Sequence, residues 1–144
     1  MKRVFVNEEW CLGCRLCEYN CSIANSGLSR MARASKDIGY VPNVRVEACE
    51  TGSYPVMCRH CVDPICVKSC ISGALSKTAE GLVKLDTERC VGCLTCVLVC
   101  PYGAITVGLN GKVQKCELCS KNSQGIPACV LGCPNHALVY EERN

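Results

Sequence analysis

The chain is poor in the residues that fill an ordinary core: its 144 residues include one Trp, one Phe and five Tyr. A globule packed around large aromatic rings is therefore excluded. Histidine is as sparse, with His60 and His136 alone, which leaves little for imidazole-based metal chemistry and nothing that reads as a Ser/His/Asp arrangement. There is no P-loop and no G-x-G-x-x-G turn after a strand, so nucleotide-dependent catalysis has no motif to rest on. The chain is expected to be non-catalytic, with the chemistry done in another polypeptide.

Long apolar runs are missing too. The best candidate, CVLVCPYGAITVGL, is broken by Pro101 and Gly103, well short of the run needed to cross a bilayer. The opening segment, MKRVFVNEEW, has only three apolar residues between Arg3 and Asn7, and it lacks both a small-residue cleavage site and a twin-arginine pair. These absences predict a cytoplasmic protein with no direct membrane insertion. The formal charge of +3 leaves out whatever the thiolates hold, so it gives no ground for a nucleic-acid partner.

What the chain has instead is cysteine, 17 of them, far above the usage that packing explains. They fall into four sets: Cys11, Cys14, Cys17 and Cys21; Cys58, Cys61, Cys66 and Cys70; Cys90, Cys93, Cys96 and Cys100; Cys116, Cys119, Cys129 and Cys133. Cys49 is left over, on an expected strand, and reads as a small buried hydrophobe that ligates nothing. An odd count without an export signal speaks against a disulfide framework, which needs an oxidising compartment. The first and third sets follow C-x2-C-x2-C-x3-C, the run that holds bacterial 4Fe-4S clusters. Three close thiolates on a tight, glycine-assisted loop reach three irons of one cubane. The fourth, expected at the start of a helix, points away and ligates the other cluster of a pair. Pro101 and Pro134 follow the third and fourth sets, whereas Ser22 and Ile71 stand at those places in the first and second. A zinc ribbon draws two thiolates from each of two C-x2-C knuckles, so most of these sets suit paired cubanes better than one tetrahedron. The fourth, with nine residues between Cys119 and Cys129, is the set most like a zinc site taken alone.

Between the sets, VRVEACE and LVKLD alternate as strands, and AITVGLNGKVQKC reads as a hairpin turning at Asn110-Gly111. ALVYEE is a last strand suited to lie beside KRVFV. Short helices are expected after each third cysteine, as in CVLVC and CVLGC, which gives a small α+β fold with an internal repeat. The long interval before VRVEA includes Arg30, Arg33 and Lys36, read as a solvated loop ahead of a partner-docking loop. Trp10 is expected to cover a cluster face. His60 and His136 are expected to tune potentials by hydrogen bonding or surface charge.

The order of the sets, the wider spacing in CRHCVDPIC, CISGAL after the second set, KCELC opening the fourth and PACVLGCPNHAL closing it resemble the four-cluster, ferredoxin-like iron-sulfur subunits of molybdenum and tungsten oxidoreductases and of carbon monoxide dehydrogenase. The resemblance implies four 4Fe-4S clusters. One takes Cys11, Cys14, Cys17 and Cys133, and another Cys116, Cys119, Cys129 and Cys21. A third takes Cys58, Cys61, Cys66 and Cys100, and the fourth Cys90, Cys93, Cys96 and Cys70. It also implies two nested bacterial-ferredoxin-like modules in one compact unit over residues 1–144, with 58–100 inserted into an outer module of 1–57 and 101–144. The implied role is to carry single electrons between a catalytic subunit, such as a tungsten or molybdenum aldehyde oxidoreductase or a carbon monoxide dehydrogenase, and a flavoprotein or ferredoxin. A free-standing polyferredoxin is the alternative.

Overall fold

A computed structural model of the chain describes residues 1–27, 41–121 and 125–143. The loop carrying Arg30, Arg33 and Lys36 lies outside them. Each strand is short and pairs with a single antiparallel partner, so the fold is α+β built from four two-stranded ribbons. β1 (Arg3–Val6) pairs with β8 (Leu138–Glu141), setting Val4 opposite Tyr140 and Val6 opposite Leu138. β2 (Val44–Cys49) pairs with β3 (Gly52–Met57), β4 (Leu75–Lys77) with β5 (Val83–Leu85), and β6 (Ile105–Val107) with β7 (Val113–Lys115). The last hairpin turns where Asn110-Gly111 predicts. Asn110 Oδ1 accepts from the Lys112 N–H at 3.1 Å, and Gly111 takes φ 75, the left-handed backbone that glycine adopts without steric cost.

Besides a short 3-10 turn at Glu8–Trp10, the described residues form four α-helices: α1 (Leu16–Ser26), α2 (Ile65–Lys68), α3 (Thr95–Val99) and α4 (Ala128–Leu131). Each begins one residue before the third cysteine of a set, so Cys17, Cys66, Cys96 and Cys129 all stand second in their helix. This corrects the expected placement of the fourth cysteine. Cys100 caps the end of α3, and Cys70 and Cys133 lie just beyond the ends of α2 and α4. The spacing x3 is one helical turn, so the turn opens at the third thiol and closes at the fourth. After the second, third and fourth sets the chain leaves the helix in a turn, with the N–H of Gly73, Gly103 and His136 donating to the carbonyl of the fourth cysteine. Proline stops the helix after Cys100 and Cys133. In the first set Ser22 takes that place, and α1 runs on to its left-handed cap at Gly27.

Two cores result. Cys17, Cys21, Val44, Val46, Met57, Cys129 and Leu138 form one, where α1 packs on α4. Ala74, Leu75, Val83, Cys90, Cys96, Ile105 and Val113 form the other, beside the packing of α2 on α3. No helix among the described residues is long and apolar enough to cross a membrane.

Candidate metal centres

The thiol loops repeat a backbone device. In the first C-x2-C pair of each set the residue before the second cysteine has a positive φ: Gly13 at 66, His60 at 46, Gly92 at 71 and Leu118 at 56. A left-handed residue there turns the chain so that two thiols one knuckle apart face the same space. At Gly92 the requirement is double, since an added Cβ would also sit 2.9 Å from the Gly111 carbonyl oxygen. His60 and Leu118 adopt the same conformation against the preference of any side-chain-bearing residue. His60 is locked there by complete burial and by the Val83 N–H, which donates to its Nδ1 at 3.1 Å.

Folding brings the sets together in crossed fashion. Cys58, Cys61, Cys66 and Cys100 line one cavity, and Cys11, Cys14, Cys17 and Cys133 line another. Neither cavity wall contains a carboxylate or an imidazole. An all-thiol donor set in apolar walls suits iron-sulfur clusters and other soft-metal centres. Elsewhere Cys96 lies within electrostatic reach of Cys70, Cys90 and Cys93, and Cys129 within reach of Cys116, Cys21, Cys119 and Cys17. Among the described residues no three Cys, His, Asp or Glu side chains converge to hold a single ion. Around the two cavities the thiols border a common space. No disulfide joins any of the 17 cysteines.

Amide donors meet several sulfurs. The Asn43 N–H lies 3.3 Å from Cys21 Sγ, the Ala104 N–H 3.4 Å from Cys100 Sγ, and the Leu118 N–H 3.3 Å from Cys116 Sγ. Such bonds stabilise negative charge on sulfur and so set cluster potentials. Burial acts the other way on the free thiols, pushing Cys17 and Cys116 up to about 12 and Cys21 up to about 11. A cysteine thiol is largely protonated near pH 7 even without that burial and binds iron only as the thiolate, so assembly must release protons. Iron uptake by the metal-free chain is therefore expected to strengthen as pH rises from 6 to 8. Calorimetry in buffers of different ionisation enthalpy should record the proton release, and a pH-independent affinity would contradict it.

Other residues depart from their sequence readings. Cys49 ends β2 at the turn and is exposed, so it is not the buried hydrophobe expected. The alternation that buries Val44 and Val46 stops before the turn. The Thr51 hydroxyl hydrogen-bonds its thiol at 3.4 Å and, with neighbouring amides, draws its pKa down. Trp10 lines the cavity of Cys11 and Cys133 while remaining 52% exposed. His136 is exposed, whereas His60 contributes no surface charge. Burial, aided by the Lys115 and Arg3 cations, holds its imidazole down to about 3. Its Nε2 is buried with no partner among the described residues. Sequence reasoning passed over Lys115, a buried cation in the second core's hairpin. Its signal was the alternation of Val113, Gln114 and Lys115, which puts the lysine on the valine's face.

Comparison with known proteins agrees with this thiol chemistry. A family model described as a 4Fe-4S dicluster domain matches residues 50–143. The chain is 36% identical to the electron transport protein HydN of Escherichia coli, over 93% of this chain and 84% of that protein. An iron-sulfur protein of Rhodospirillum rubrum is 33% identical over 94% of this chain and 79% of its own length. The beta subunit of NADH-dependent phenylglyoxylate dehydrogenase from Aromatoleum evansii is 37% identical over 90% of this chain, a segment that makes up 28% of the relative.

Proposed function

The chain belongs to the 4Fe-4S dicluster family of ferredoxin-like electron-transfer proteins, and on that premise we propose that it is an electron-transfer subunit holding four 4Fe-4S clusters. The observation that carries this reading is the crossed grouping of thiols at two cavities, Cys11, Cys14 and Cys17 with Cys133 and Cys58, Cys61 and Cys66 with Cys100. Cys11, Cys14, Cys17 and Cys133 would hold one cluster, and Cys116, Cys119, Cys129 and Cys21 its partner. Cys58, Cys61, Cys66 and Cys100 would hold the third, and Cys90, Cys93, Cys96 and Cys70 the fourth. The packing of α1 on α4 and of α2 on α3 supports an outer module of residues 1–57 and 101–144 around an inserted module of 58–100. Ile105 and Val113 share the second core, so packing of the inserted module extends through β7.

Bound clusters supply reversible one-electron transfer. The chain's own part is to fix the thiols, shield them from water and place amide N–H groups on the sulfurs. Cys61 lines both the cavity shared with Cys58, Cys66 and Cys100 and an open cleft of about 430 Å³ bordered by Arg3, Arg59 and Arg143. Arg59 and Tyr102 line both spaces as well, so this site meets the surface at that cleft.

We assign the other end of the electron path to a catalytic redox subunit, with a tungsten or molybdenum aldehyde oxidoreductase or a carbon monoxide dehydrogenase favoured, and to a flavoprotein or ferredoxin as the exchange partner. The name of the phenylglyoxylate dehydrogenase relative supports a subunit role. A cytoplasmic home suits thiols that must stay reduced. Anaerobic purification from the native host tests this reading. About sixteen irons with matching sulfide per chain are expected, together with a stoichiometric larger polypeptide. About eight irons would reduce the reading to two clusters, zinc in place of iron would refute it, and a lone chain with full iron would identify a free-standing polyferredoxin.

A further inference from the structure

Lys115 is 3% exposed, on the inward face of β7 beside Val113. Its Nζ donates to two carbonyl oxygens, those of Val83 and Cys116, each at 2.5 Å. No carboxylate pairs with it among the described residues; the nearest in sequence, Glu117, accepts from the Leu85 N–H at 2.7 Å. Carbonyl groups satisfy two of the ammonium's N–H donors but leave its charge uncompensated, and a buried cation persists only where something anionic faces it. Its two anchors identify that anion. Val83 lines the cavity of Cys58, Cys61, Cys66 and Cys100, while Cys116 belongs to the other module's set. His60 Nδ1 accepts from the N–H of the same Val83 at 3.1 Å. One lysine thus bonds both to a residue in the wall of one set's cavity and to the backbone of a cysteine in another set.

We propose that Lys115 is a shared electrostatic positioning residue between modules, its buried ammonium raising the potentials of both the cluster of Cys58, Cys61, Cys66 and Cys100 and the cluster of Cys116, Cys119, Cys129 and Cys21. The proposal rests on the cluster reading above. Reduction adds an electron's charge to a site already anionic, so a cation in low-dielectric surroundings stabilises the reduced form more than the oxidised one. Placed between two such sites, it also offsets their mutual repulsion when both are reduced. The pair can then hold electrons together at a junction they must cross.

The test is a redox titration of the anaerobically purified full chain, followed by electron paramagnetic resonance, for the unaltered protein, Lys115→Met and Lys115→Arg. Cys58→Ser and Cys116→Ser assign the two signals. Lys115→Met keeps the stem and removes the charge. Both assigned potentials should move negative in it, the other two clusters should stay, and Lys115→Arg should restore the original values. Loss of iron from these two sites in Lys115→Met but not in Lys115→Arg would likewise support the role of charge. Full iron with unmoved potentials, a shift confined to one site, an equal shift of all four, or equal iron loss in both variants would each overturn the proposal. Absence of iron-sulfur signals from the unaltered chain would defeat the cluster reading itself, a result distinct from all of these.

Discussion

Cys100→Ser is expected to remove or transform the cluster of Cys58, Cys61 and Cys66 and to leave that of Cys90, Cys93 and Cys96 in place. By sequence Cys100 belongs with the latter three, in CVGCLTCVLVCP. In space it closes α3 one turn after Cys96 and joins the wall of the cavity that Cys58, Cys61 and Cys66 line. Cys96 meanwhile has Cys70 beside it, contributed by the end of the second set. The Ala104 N–H that donates to Cys100 Sγ comes from the turn after α3, so this thiol is fixed by its own backbone whatever metal it meets. Serine is a poorer ligand for these irons than a thiolate. Iron should fall by about four per chain if the whole cluster leaves, or the affected signal should shift sharply if serine is retained. Cys70→Ser should give the reciprocal result, touching the cluster of Cys90, Cys93 and Cys96. Assigning either effect to the variant's own sequence neighbours would refute the crossed arrangement.

Much of this was legible in the sequence because spacing encodes distance. A thiol every three or four residues fixes which sulfurs share a loop, and Asn110-Gly111 fixes a hairpin. The pairing of KRVFV with ALVYEE was expected too, the last strand being suited to lie beside the first. The crossing itself came from resemblance and not from spacing, because spacing leaves open which helix packs on which.

Three features were hidden for physical reasons. β3 contains Pro55, and a proline demotes a segment as a strand candidate. It is tolerated here because β3 pairs with β2 alone, Pro55 standing opposite Val46. The burial of His60 and Lys115 was missed because both residue types are normally solvated. What keeps them inside is Val83, whose N–H and carbonyl each take one of them. Cys49 was misjudged in the opposite sense, since a strand's inward alternation does not extend to a turn-flanking residue.

Stripping the iron with a chelator is expected to unfold the chain, not merely to empty it. The three helices α2, α3 and α4 have four or five residues each, far below the length at which a helix holds itself in water. Every sheet among the described residues is two-stranded, and such ribbons are marginal without packing on something else. That support comes from two small cores in which Cys17, Cys21, Cys129, Cys90 and Cys96 are themselves members. Ordering the backbone costs roughly 1–2 kcal/mol per residue. A buried Val or Leu returns only about 1.5–3 kcal/mol, and each core has few of them. With the ligation proposed above, the missing stabilisation would come from metal-thiolate bonds that tie the start of the chain to its end and the second set to the third, so that binding energy becomes folding energy. Far-UV circular dichroism should therefore collapse on iron removal, with loss of any cooperative thermal transition, and both should return on reconstitution with iron and sulfide under reducing conditions. A metal-free chain that kept its native spectrum and melted cooperatively would show that the polypeptide alone specifies the fold, and that clusters are guests in a structure which does not need them.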